Sequence, residues 1–303
     1  MADSRSEVSV ILPTYDRADL VSDSIRSVLD QTFEDFELIV VDDASNDDTT
    51  GVVQGFADDR IRYIKHEQNK GAPAARNTGI EAAVGDIIAF QDSDDQWHPR
   101  KLEKQMEAFE AVSSDVGVVY TGMNRGREHS EVYLPYTGVE KAEGDIQCSL
   151  QQQNFIPTQV AAVRKDCFDA VGPFDENMTP LEDWELWIRI SRQFQFRLVD
   201  EPLVTGEVLP DSLSTDQRAL VEARKRIIAK HRDYFSDRTL ARHSFYVGHG
   251  SMKLRHPKEA RSFLLQAMRA NPHPRHVSAL VLSILSLRIY LFAYHHYKNW
   301  QRA

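Results

Sequence analysis

An α/β fold on a mostly parallel sheet, with an α-helical C-terminal extension, follows from three features of the sequence. Short apolar runs alternate with segments of helical spacing over the first 100 residues. The strong apolar runs end in acidic and turn-forming residues. From about residue 216 onward only helical patterns remain. Strand–helix alternation of this kind builds parallel strands joined by right-handed crossovers.

The elements follow in order. Val8–Pro13 (VSVILP) is a short buried strand, and Asp19–Gln31 a helix with Leu20, Val21, Ile25, Val28 and Leu29 near helical spacing. Phe36–Val41 (FELIVV) is a second buried strand, ended by Asp42 and Asp43. Asp47–Phe56 reads as a helix with Asn46 or Asp47 as N-cap. Ile61–Lys65 alternates like a strand, and Gly71–Ala83 is a helix with a small-residue face. Asp86–Phe90 is a third strong strand that runs into acids. Val116–Tyr120 and Val160–Val163 are strands on either side of a polar, loop-rich stretch. Leu181–Arg192 is a helix with acids at its start, and Phe196–Val199 an edge strand.

Residues 1–215 are therefore expected to form one domain and residues 216–303 a helical region. Leu220–His231 is a basic amphipathic helix. Phe245–Leu254 and Glu259–Ala270 resemble one tetratricopeptide-like pair over about 243–272, carried by Tyr246, Gly250, Ala260, Phe263, Ala267 and Pro272. A lone repeat cannot bury its own face and must pack on something else. Val277–Tyr294 is apolar apart from Arg288 and small serines. Extended to residue 297, it predicts one membrane-associated helix, with Tyr290, Tyr294, Tyr297 and Trp300 suited to an interface belt. Crossing a bilayer takes about 20 such residues; lying on its surface or packing on the helical pair are the alternatives.

Composition narrows the function. A net charge of −10 argues against non-specific nucleic-acid binding, which needs a basic face. Cys148 and Cys167 are too few for a disulfide scaffold or a Cys-rich zinc site. The chain carries 27 Asp and 25 Arg against 11 Lys, which fits a halophile's salt-rich cytoplasm or equally a GC-rich genome. MADSRSE is polar and Val8–Leu12 is too short for a signal core, so the N-terminal part is expected in the cytoplasm.

Ligands bind outside the carboxyl ends of strands in open parallel sheets. Three such ends carry carboxylates: Pro13-Thr14-Tyr15-Asp16, Asp42-Asp43 and Gln91-Asp92-Ser93-Asp94-Asp95. Crowded carboxylates invite a divalent cation. A D-x-D pair such as Asp92 and Asp94 can hold Mn²⁺ or Mg²⁺ against a diphosphate, although alone it is as easily a solvated turn. The Asp42-Asp43 pair can accept from a nucleobase or ribose, or cap a helix. Gly71 opens a helix whose N-terminus attracts phosphate, with Arg76 able to pair with it. No Gly-x-Gly-x-x-Gly or Walker pattern occurs. Glu182 and Asp183 either complement a helix dipole or present a base to an acceptor hydroxyl.

VSVILPTYDR, QTFEDFELIVVDDASNDDT, NKGAPAARNTGI, GDIIAFQDSDDQWHP and LEDWELW, in this order, resemble the family 2 glycosyltransferases of GT-A fold over about 8–210. The resemblance implies inverting transfer of one sugar, hexose or hexuronic acid, from a UDP- or GDP-sugar. By matching position it implies Asp43 as base- or ribose-binding carboxylate beside Asp42, and Pro13, Thr14 and Tyr15 as the nucleoside loop. Asp94 becomes the principal metal and diphosphate ligand with Asp92, Arg76 a weaker phosphate contact, and Asp183 the general base. A uronate donor would want a cation, for which Arg125, Arg127 and Arg164 are candidates. The Q-x-x-R-W motif of processive synthases is absent; after Asp183 only Asp216-Gln217-Arg218 offers a partial match. A non-processive enzyme is expected at the cytoplasmic face of the membrane, extending a dolichol-phosphate-linked glycan for protein N-glycosylation. Capsule, exopolysaccharide or lipopolysaccharide units are the alternative acceptors, and a catalytically inactive glycan-binding or scaffold protein the alternative class.

Overall fold

The computed structural model describes residues 6–126, 132–135, 139–206 and 216–300, the side chains of 295–300 excepted. The chain divides into two compact units, Met1–Pro210 and Asp211–Ala303. The expected boundary at residue 215 falls outside the described residues.

The first unit is built on a nine-stranded sheet. β1 (Val8–Thr14), β2 (Phe36–Asp42), β3 (Ile61–Lys65) and β4 (Ile87–Phe90) pair in parallel in the order β3-β2-β1-β4. α1 (Val21–Leu29), α2 (Thr49–Gln54) and α3 (Ala72–Ala82) connect them. Every residue of β1 is buried, as a strand covered on both faces requires. α3 packs close on β1: a Cβ on Gly79 would meet Ile11 Cγ2 at 2.4 Å, so only glycine fits there.

Beyond β4 the sheet becomes mixed. β5 (Asp95–Trp97), β6 (Val116–Arg125), β7 (Val132–Leu134), β8 (Ala161–Arg164) and β9 (Gln195–Gly206) continue it as β4-β8-β6-β9-β5, with β7 paired to β6. β8 runs antiparallel to both β4 and β6. The expected edge strand at Phe196–Val199 is instead part of the twelve-residue β9, which lies between β6 and β5. Its register shifts near Pro202, where a ladder donor is missing, and this interrupts the alternation that would mark a long strand. α4 (Lys101–Glu110), α5 (Gln147–Gln152), α6 (Lys165–Val171) and α7 (Glu182–Ile190) complete the unit.

α4 opens on a fully buried lysine. Lys101 Nζ donates to Gln105 Oε1 at 2.9 Å and lies 3.7 Å from the Trp97 ring centroid. Burial drives its pKa far down. The unfolded chain therefore binds the extra proton, and stability should rise with pH until about pH 10.5, where a free lysine deprotonates. Lys101→Met should remove that slope and raise stability at pH 7 by about 1–3 kcal/mol, read from denaturant midpoints at several pH values.

In the second unit, α8 (Gln217–His231), α9 (Asp237–Lys253), α10 (Pro257–Ala270), α11 (Pro274–Leu285) and α12 (Leu287–Trp300) follow one another. α9 and α10 pack together, with Ala260 and Leu264 against Gly248. The single apolar helix expected over 277–297 is two helices, broken at Ser286. Ser286 is extended, its N–H donates to Leu282 O, and its Oγ accepts from Arg288 N to start α12. Arg261 donates through Nε and a terminal nitrogen to Ser283 O, satisfying a carbonyl at the end of α11. Among the described residues no helix is long and apolar enough to cross a membrane.

Candidate active site

The site is assembled where the parallel strands end. Register places Thr14 of β1, Asp42 of β2 and Lys65 of β3 in one row. Pro13 and Thr14 are buried, and Tyr15 stands 42% exposed beyond them. Thr14 Oγ1 is buried without a hydrogen-bond partner among the described residues, an unmet polar atom at the mouth of the strand. Among the described residues of this unit, three non-glycine residues adopt positive φ: Asp16, Ala44 and Leu181, at 47°, 68° and 75°. Each borders one of the motifs, the placement expected of backbone strain held at a functional site.

Asp42 and Asp43 both point into the protein. Burial alone would raise the pKa of Asp42, but hydrogen bonds from Ser45 and Tyr63 and the Lys65 charge outweigh it and hold the carboxylate below its ordinary range. Asp43 accepts from Lys70 N at 2.9 Å and Gly71 N at 2.7 Å, and His66 Nδ1 lies 2.7 Å from Oδ1. Asp43 thus braces the loop that starts α3, and Gly71 takes φ 90° there. His66 is a residue the motifs do not signal.

Arg76 is buried on α3 and joins the two other acidic motifs. One terminal nitrogen donates to Asp92 Oδ1 and the other to Glu182 Oε1, both at 2.8 Å. The guanidinium carbon sits 5.6 Å from the Phe174 ring centroid. Desolvation would lower its pKa, but Asp92 and Glu182 more than reverse this and keep it charged. Each terminal nitrogen donates to one carboxylate, so Arg76 bridges the two acidic motifs, while its buried Nε has no hydrogen-bond partner among the described residues. The sequence separations, 16 and 106 residues, leave no local signal for the bridge.

Asp92 and Asp94 are partly exposed at the end of β4, while Asp95 is buried. Asp95 accepts from Gln159 Nε2 at 2.6 Å, and Ser24 Oγ and Gln91 Nε2 donate to its carbonyl. Burial, then the charges of Asp92 and Asp94, push its pKa well up. No group of three or more Asp, Glu, His or Cys among the described residues is disposed to hold a metal. One Asp92 oxygen is engaged by Arg76. The donor set therefore fits a cation shared with substrate phosphates through Asp94 and Asp92, the usual habit of Mg²⁺, rather than a cage made by the protein alone. Of the cationic candidates, Arg125 reaches the acids electrostatically, through Asp95. Arg164 pairs with Ile87 at the start of β4, away from the rim, and Arg127 lies outside the described residues.

Asp183 sits in the first turn of α7. That helix is anchored by two buried tryptophans, Trp184 Nε1 donating to Leu150 O at 2.6 Å and Trp187 Nε1 to Ile156 O at 2.8 Å. Asp183 Oδ2 accepts from Asn154 Nδ2 at 3.0 Å, and Oδ1 from Trp184 N at 2.6 Å. Desolvation and then the Glu182 charge push its pKa up to about 7, while Asn154, Trp184 N and Arg76 pull the other way. A carboxylate tuned to neutrality is suited to take a proton. The folded state holds that proton more tightly than the unfolded chain, so this group costs stability as pH rises from about 4 to 7. Asp183→Asn should therefore melt higher than wild type at pH 8, by on the order of 1–2 kcal/mol, and the difference should vanish near pH 4.

Known glycosyltransferases share parts of this sequence and its fold. The model for glycosyl transferase family 2 matches residues 9–172. A putative teichuronic acid biosynthesis glycosyltransferase, TuaG of Bacillus subtilis, is 47% identical over 102 residues, 33% of this chain and 40% of its own. The UDP-Glc:alpha-D-GlcNAc-diphosphoundecaprenol beta-1,3-glucosyltransferase WfgD of Escherichia coli is 48% identical over 99 residues, 33% of this chain and 39% of its own. The chain thus spans well under two thirds of the length of either relative. The crystal structure of S. aureus TarS 1–349 in complex with UDP-GlcNAc superposes with a TM-score of 0.71 at 17% identity, over 97% of this chain and 92% of that one, so the fold is the GT-A fold expected from the sequence. With the family model covering more than half of its residues, the chain belongs to glycosyl transferase family 2.

Proposed function

We propose that the chain transfers one sugar, with inversion, from a UDP-sugar to a lipid-linked acceptor in cell-surface glycan assembly. The observation that carries the reading is Asp183: a desolvated carboxylate tuned near pH 7, one residue from the Glu182–Arg76–Asp92 bridge that ties it to the D-x-D strand end. UDP is favoured over GDP by the ligand of the TarS complex, and a polyprenyl-diphosphate acceptor by the name of WfgD. The named relatives point to surface polysaccharide units rather than to a dolichol-linked glycan for N-glycosylation.

In this mechanism the nucleoside lies at Pro13, Thr14 and Tyr15, with Asp42 and Asp43 shaping the floor of its pocket. The diphosphate faces Asp92 and Asp94. A divalent cation held there would neutralise charge on the departing diphosphate. Asp183 accepts the proton of the acceptor hydroxyl as its oxygen bonds to the anomeric carbon and the bond to the diphosphate breaks. The product is an inverted glycoside plus nucleoside diphosphate. To Arg125, whose charge acts on Asp95, the proposal gives the role of favouring a hexuronic acid over a neutral hexose.

UDP release from a panel of UDP-hexoses and UDP-hexuronic acids, with a synthetic polyprenyl-diphosphate sugar acceptor, tests this. Acceptor-dependent UDP release from one donor supports it. A folded protein that releases no UDP from any donor would move the reading to an inactive glycan-binding scaffold. If the donor is a uronate, Arg125→Ala should raise its KM about tenfold and leave a neutral UDP-hexose unaffected.

A further inference from the structure

Half of the large hydrophobic side chains exposed among the described residues, six of twelve, fall between 277 and 292. Val277, Val281, Ile284 and Leu285 of α11 recur at helical spacing, and Ile284 and Leu285 are 59% and 65% exposed. The opposite face, His276, Ala279 and Ser283, is buried. Ile289 and Phe292 of α12 continue the exposed set at 49% and 67%. An apolar set this concentrated marks an interaction surface rather than ordinary scatter.

Charge identifies the occupant. Residues 260–303 contain six Arg and Lys and no Asp or Glu, so all 46 acidic side chains lie before residue 260. Arg275 and Arg288 are exposed beside the apolar set. We infer that the α11–α12 segment is a monotopic docking surface for an anionic lipid bilayer, lying in the headgroup layer with its apolar side chains inserted and its cations on lipid phosphates. The break at Ser286 leaves neither helix long enough to span, and amphipathic helices with cationic polar faces lie in the interface plane. A second copy of the chain fits poorly, because a two-fold contact would set the same acid-free, cationic surface against itself.

The inference deepens the lipid-linked acceptor reading and gains its purpose from it, but vesicle binding is measured without donor or acceptor. Full-length protein should co-sediment with vesicles of phosphatidylcholine mixed with phosphatidylglycerol, and at least about fivefold less with phosphatidylcholine alone or at high salt. Ile284→Ser with Leu285→Ser should reduce partition about tenfold or more, and Arg288→Glu about fivefold or more, with UDP binding retained in both. Asp94→Ala should sediment like wild type, so failure of the donor-site reading would leave this result standing. Wild type that ignores anionic vesicles overturns the inference without any variant. So does equal sedimentation of wild type and the double variant. A wild-type dimer that the double substitution converts to monomer, with vesicle binding unchanged, assigns the surface to self-association instead.

Discussion

Asp183→Asn should lower kcat by about 10²–10⁴ while leaving UDP affinity within about twofold of wild type. The substitution keeps shape and retains an oxygen for Trp184 N, so α7 and its two anchoring tryptophans should stay in place. What it removes is the proton acceptor. In wild type the log of kcat/KM should fall below pH 7 as the carboxylate protonates, with a midpoint near its pKa of about 7. Asn154→Ala removes a hydrogen bond that favours the ionised form and should move that midpoint to higher pH. A base set by the D-x-D acids instead would leave the profile unmoved by Asn154→Ala.

Arg76→Met should have the second large effect, on stability and rate together. It leaves Asp92 and Glu182 without their shared partner, and Glu182 is mostly buried. Breaking a buried ion pair from one side costs about 3–5 kcal/mol, so the melting temperature should drop sharply. The loss also removes a positive charge that lowers the pKa of Asp183, and the acid limb of the rate profile should shift to higher pH. A merely structural arginine would reduce stability without that shift. Arg76→Lys separates the roles further: it keeps charge but cannot span both carboxylates in the fork geometry of a guanidinium, so it should restore the pH profile better than the stability.

The parallel half of the sheet was legible because β1 and β2 are short, mostly apolar runs that stop at polar residues and β3 alternates apolar with charged residues. Val8–Pro13, Phe36–Val41 and Ile61–Lys65 lie within or match β1, β2 and β3. β5 escaped because Asp95–Trp97 is three residues long and held by side-chain contacts from Ser24 and Gln91 rather than by an apolar pattern. α4 is obscured because Lys101 and Gln105, two polar residues, belong to its buried face. The acidic motifs could be placed at the strand ends from sequence, but not their partners. Arg76 reaches Glu182 across 106 residues, and Asn154 reaches Asp183 from a loop 29 residues away. Ser286 resembles the other small residues of its apolar stretch, and only its extended backbone shows that the helix ends there.

The most direct test of a donor site at the strand ends is UDP binding by calorimetry, with and without Mn²⁺, in wild type, Asp94→Ala and Asp183→Asn. Wild type and Asp183→Asn should bind alike and more tightly with Mn²⁺, whereas Asp94→Ala should lose the Mn²⁺-dependent part. Equal binding by all three, or none by any folded variant, would contradict the assignment of these strand ends to a nucleotide-sugar.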